Sequence, residues 1–113
     1  MGKIAIRKAE GKWCVRAGGA ILVDSKNALT LSEDGLADVI YFPREDVAMA
    51  FLDVSERRTH CPLKGDATYF SIVTKSGTLE NAAWSYEEPI EAAERIRDHI
   101  AFHAGETIAV ERI

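Results

Sequence analysis

Short runs of aliphatic, β-branched and aromatic residues, separated by glycine-containing turns, mark most of this chain as strands rather than helices. Trp13-Cys14-Val15-Arg16 and Ala20-Ile21-Leu22-Val23 flank Gly18-Gly19, a pair free to take positive φ, which predicts a tight hairpin. Leu29-Thr30-Leu31, the turn-like Ser32-Glu33-Asp34-Gly35 and then Val39-Ile40-Tyr41-Phe42, stopped by Pro43, predict a second hairpin. Pro43 followed by Arg44-Glu45-Asp46-Val47 suits a short helical turn, after which Met49 to Leu52 resumes extended structure. Ala67–Thr74 and Thr78–Tyr86 around Lys75-Ser76-Gly77 form the clearest hairpin signal. A change of period comes near Pro89. Ile90, Ala93, Ile96 and Ile100 recur at near-helical spacing, Glu91 and Arg95 form an i,i+4 pair, and Gly105 supplies a stop, so this segment predicts an amphipathic helix. Thr107-Ile108-Ala109-Val110 then returns as a short strand. The expected fold is α+β and mainly antiparallel β: a curled sheet or small barrel, one C-terminal amphipathic helix and a final short strand. With no internal repeat, linker or low-complexity tract, residues 1–113 form a single domain.

Composition narrows the function classes. Of 113 residues, 47% are hydrophobic and 28% charged, enough apolar side chain for one core. The formal charge of −4 and the lack of a basic run argue against sequence-independent nucleic-acid binding. No stretch approaches the roughly 20 apolar residues that cross a bilayer, so no membrane partner is expected. The stretch Met1–Lys8 has neither the apolar core nor the small-residue cleavage site of a secretory signal, which predicts a cytoplasmic location. Cys14 and Cys61 are too few for a disulfide framework and lack paired C-x-x-C spacing; both read as reduced thiols.

Candidate chemistry concentrates in Arg57-Arg58-Thr59-His60-Cys61-Pro62-Leu63-Lys64-Gly65-Asp66, read as a loop between strands. Cys61 is a candidate nucleophile if nearby positive charge raises its thiolate fraction, and otherwise a buried, unreactive thiol. His60 is a candidate acid or base, although in an extended segment it points away from Cys61. Lys64 beside Gly65, with Arg57 and Arg58 upstream, suits a carboxylate or phosphate, or else a solvated turn. Arg44 adds a second cation and Asp66 a polar partner. Tyr41, Tyr69, Trp84 and Tyr86 either line a pocket wall or pack in the core; Trp84 and Tyr86 share a face because they are two apart. His99 and His103 have i,i+4 spacing on the expected helix, but Ile100-Ala101-Phe102 between them lacks the acidic residue of the H-E-x-x-H pattern, so no metal is expected. No motif calls for a cofactor.

Three motifs in order, Tyr41-Phe42-Pro43 with Asp46-Val47, Thr59-His60-Cys61-Pro62 with Lys64-Gly65 and Tyr69, and Ala83-Trp84-Ser85-Tyr86 with Pro89, resemble the family catalogued as domain of unknown function 427. The likeness runs from about Trp13 to the end. It implies a small, strand-rich, single-domain protein, common in bacteria and also met in fungi, with no established activity. The family has also carried a nucleotidyltransferase-like label, but the Gly-Ser motif and paired carboxylates that would hold magnesium are missing here. Three functions follow as expectations. The first is a pocket for a small anionic metabolite, with thiol or acid/base chemistry at Cys61 or His60, leaving enzyme and binder both open. The second is a non-catalytic interaction or self-association module, which predicts a homo-oligomer. Nucleotide transfer is the third.

Overall fold

The computed structural model describes residues 3–113; Met1 and Gly2, which open the stretch read for a secretory signal, lie outside the described residues. Ten strands follow one another: β1 (Ile4–Lys8), β2 (Trp13–Ala17), β3 (Ala20–Ser25), β4 (Leu29–Glu33), β5 (Val39–Tyr41), β6 (Leu52–Cys61), β7 (Gly65–Thr74), β8 (Gly77–Ser85), β9 (Ala101–Phe102) and β10 (Ile108–Arg112). They form three antiparallel sheets, ordered β1-β4-β5, β10-β2-β3 and β6-β7-β8-β9. The three expected hairpins are present. Gly18 and Gly19 have φ of 56° and 79°, the paired positive values a two-residue turn between twisted strands requires.

The four-stranded sheet lies between two cores, and alternation along its strands, interrupted by bulges, supplies side chains to both. Phe70, Ile72, Ala83 and Phe102 enter a core shared with Val15, Leu22, Val23 and Ile108 from the β10-β2-β3 sheet. Their chain neighbours Tyr69, Trp84 and Ala101, with Ala67 earlier on β7, point the other way, toward Leu31, Tyr41, Val39 and Ile6 of the β1-β4-β5 sheet. Tyr41 and Phe42, adjacent and both wholly buried, divide between the two cores. Phe42 also ties two sheets together, since its amide and carbonyl exchange hydrogen bonds of 2.8 Å with Ile100.

Four sequence expectations are corrected. The sheets do not close into a barrel. The C-terminal amphipathic helix is absent: Glu91–Ile96 forms 3-10 turns kinked at Ala93, Asp98 takes a left-handed φ of 59°, and β9 follows. The reason is burial. Ile100, Ala101 and Phe102 are three consecutive buried residues that feed alternate cores, a demand only an extended segment meets, whereas Ile90, counted on the helical face, is 41% exposed. Met49–Phe51 is a 3-10 turn, with the strand starting at Leu52. Arg57–Cys61 is strand rather than loop, so β6 and β7 form a long hairpin whose turn is only Pro62-Leu63-Lys64. Among the described residues no helix is long and apolar enough to cross a membrane.

Candidate functional site

The register of the large sheet sets an aromatic row across one face. Tyr69 on β7 is directly opposite Trp84 on β8, and His103 follows β9, whose Ala101 is opposite Trp84. The His103 ring lies 4.5 Å from Trp84 and 6.5 Å from Tyr69, centroid to centroid. Arg57, beside a bulge in β6, places its guanidinium 5.0 Å from the centre of the Tyr69 ring, a cation–π contact. Trp84 is fixed from below: its Nε1 donates to the Tyr41 hydroxyl at 3.1 Å, and the two rings meet edge to face. Thr59 donates to the Tyr69 hydroxyl at 3.1 Å. Burial is the main cause that raises the Tyr41 and Tyr86 hydroxyls above the ordinary tyrosine range, so both stay neutral. His103 is shifted the opposite way, below 6.5, by desolvation first and by the Arg57 charge second.

This row borders a cleft of about 370 Å³ at the meeting of the three sheets. Trp84 and His103 form one wall, Val39 and Ile40 of β5 another, and Trp13 and Val110 of the β10-β2-β3 sheet a third. Both tryptophans of the chain therefore face one hollow.

The other candidates divide between the two faces of the large sheet. Lys64 joins the aromatic side, with Nζ 2.9 Å from Glu33 Oε1 and 5.9 Å from the centre of the Tyr86 ring. These side chains are only 11% and 16% exposed, so the ammonium is neutralised inside the fold rather than presented to an external anion. The backbone at Lys64 also anchors the C-terminal segment, because its carbonyl accepts from the Ile90 amide at 3.0 Å. Cys61 is half-buried against the second core, near Tyr41 and Tyr86.

On the opposite face, His60 Nδ1 lies 2.7 Å from Asp66 Oδ1, both well exposed. Thiol and imidazole thus point to opposite faces of β6 and form no nucleophile–base pair. Arg44 is also on this face, over the Phe70 ring at 5.6 Å, donating to the Asp98 carbonyl at 3.1 Å and the Ser85 hydroxyl at 3.2 Å and pairing with Glu87. Lys64 and Arg44 therefore do not converge. Arg58, His60, Asp66 and Glu87 rim a separate polar hollow of about 460 Å³.

His99 and His103 do not share a helical face. His99 Nδ1 contacts the Arg97 carbonyl at 2.9 Å, while His103 packs on Trp84. Among the described residues no group of three His, Cys, Asp or Glu side chains is placed to hold a metal ion. The residues that sequence reasoning missed are Trp13, Glu33 and His103 as the ring partner of Trp84. Their partners are 71, 31 and 19 positions away, and no local spacing signals them.

What these features define is a small three-sheet antiparallel β domain with an aromatic cleft where the sheets meet. The chain belongs to the family described as Domain of unknown function (DUF427), whose model matches residues 5–112. No curated protein matches it. The motifs that carried the resemblance lie on β5, on the β6–β7 hairpin and on β8, the elements that frame Tyr41, Lys64 and Trp84.

Proposed function

We propose that this protein binds a small metabolite with a flat aromatic ring in the cleft between Trp13 and Trp84. The supporting observation is the close, tilted ring pair Trp84–His103, centroids 4.5 Å apart at an interplanar angle of 43°, on the wall of a hollow of about 370 Å³, the size range of small-molecule sites. The pair is held in place beforehand: Tyr41 accepts from the Trp84 indole, and the His103 amide donates to the Ala82 carbonyl at 2.9 Å. A ring entering the cleft meets surfaces already ordered, so little conformational entropy opposes binding. His103, neutral above its lowered pKa, offers such a ring a flat, uncharged face near neutral pH.

The anion preference read from Lys64 has lost its free cation to Glu33. Cys61 and His60 have no chemical step in this reading, which is that of a binding module. Calorimetric titration with indole tests it. Binding to the native protein, weakened at least about tenfold by Trp84→Leu with unfolding stability kept within about 1 kcal/mol, supports the reading. Equal affinity in both proteins, or heat absent from both, removes it.

A further inference from the structure

A second hollow, of about 440 Å³, adjoins the aromatic cleft, and Trp13, Asp38 and Ile40 line both. The shared residues make the two hollows neighbours at the seam between the β1-β4-β5 and β10-β2-β3 sheets, with Trp13 common to both. Their linings differ in character. The first presents Trp84, Phe102 and His103. The second presents Arg7, Lys8 and Arg112 against the carboxylates of Glu10 and Asp38. Arg7 and Asp38 neutralise one another at 3.3 Å, with Ser32 bridging them. Lys8 and Arg112 are exposed and make no ion pair among the described residues, leaving an excess of one positive charge over Glu10. On a chain whose net charge is −4, a cationic hollow beside an aromatic one is a local reversal of the molecule's field.

We infer that the ligand is an aromatic anion: its ring lies against Trp84 and His103, and a carboxylate or phosphate on a short tether passes Trp13 to reach Lys8 and Arg112. This rests on the aromatic-cleft reading and adds the charge and length of the ligand to it. The anion is held by charge on a solvent-exposed rim, so its contribution is modest and depends on salt. The rival cation is Arg57, which packs over Tyr69 at the far end of the aromatic row.

The test compares neutral indole with indole-3-propionate and 2-naphthyl phosphate, by calorimetry at low and high salt. The expected result is at least about fivefold tighter binding of one or both anions than of indole. That advantage should disappear in Lys8→Gln/Arg112→Gln and shrink at high salt, with indole affinity unchanged within about twofold. Which anion gains more distinguishes carboxylate from phosphate. Both replaced side chains are exposed, and the single variants, each expected to lose part of the advantage, serve if the double variant fails to fold. No anion advantage, or an advantage kept in Lys8→Gln/Arg112→Gln and lost in Arg57→Gln, overturns the inference while indole binding leaves the cleft reading intact. Failure of all three probes to bind removes both.

Discussion

Replacing Lys64 separates a structural lysine from a ligand-binding one. The Lys64→Met substitution keeps aliphatic volume beside Tyr86 but leaves Glu33 Oε1 without the donor now 2.9 Å away. Breaking a fully buried ion pair from one side costs roughly 3–5 kcal/mol, because the remaining charge is left without compensation. Here the side chains keep 11% and 16% of their exposure, so water reaches Glu33 in part, and the expected loss is about 2–3 kcal/mol. Removing both charges, in Lys64→Met/Glu33→Leu, should return stability to within about 1 kcal/mol of the native protein, a coupling of about 2 kcal/mol between the positions. Urea unfolding followed by tryptophan fluorescence resolves such differences in a domain of this size. The same Lys64→Met protein should bind indole within about twofold of the native affinity, because the lysine faces inward to Glu33. A loss below about 0.5 kcal/mol for Lys64→Met, or a double variant as unstable as the two singles added, would refute the buried pair. An intact fold with abolished ligand binding would return Lys64 to the role of receptor.

Other predictions follow from the same contacts. His103 has a folded-state pKa below 6.5, so its contribution to stability is complete above that value, where the imidazole is neutral in both states. As pH falls from 6.5 through the folded value the unfolded chain takes up the proton first and stability is lost; His103→Phe should flatten this part of the stability–pH curve, and an unchanged slope would contradict the assignment. Gly65 has φ of 115°, and a Cβ there would stand 3.4 Å from the Glu88 carbonyl oxygen, the Ile90 amide nitrogen and Pro89 Cα. Gly65→Ala should therefore cost about 1–3 kcal/mol in thermal unfolding; a neutral result would show that the turn can relax. Tyr41→Phe removes the acceptor of the Trp84 indole and should cost about 1 kcal/mol while speeding exchange of that indole N–H with solvent, an effect that a silent exchange rate would exclude.

Local pattern was enough for the strands that turn tightly. Gly18-Gly19, Lys75-Ser76-Gly77 and the Tyr41-Phe42-Pro43 stop are written in adjacent residues, and each lies where a hairpin or strand end requires it. The C-terminal segment misled because Ala93, Ile96 and Ile100 recur at a spacing that suits a helix, while Ala93 and Ile96 are buried by 3-10 turns packed on the second core and Ile100 by the extended segment that leads into β9. A segment buried on both sides loses the alternation that normally identifies it. The Arg57–Cys61 strand was hidden by its charge: on an edge strand, polar side chains are tolerated and guard against pairing with other chains. At the site, Tyr41, Tyr69, Trp84 and Tyr86 do gather on one side of the large sheet. Glu33, which cancels Lys64, and Trp13, which closes the cleft, come from other sheets, and only the tertiary fold brings them there.

The most direct test of the aromatic cleft is a titration of the ¹⁵N-labelled protein with indole, following the two indole N–H signals and the backbone amides. The account predicts that shifts concentrate on the Trp84 and Trp13 indoles and on the amides of Val39, His103 and Val110, with those of the His60–Asp66 hollow unmoved. Shifts confined to that polar hollow, or a spectrum that does not change, would contradict it.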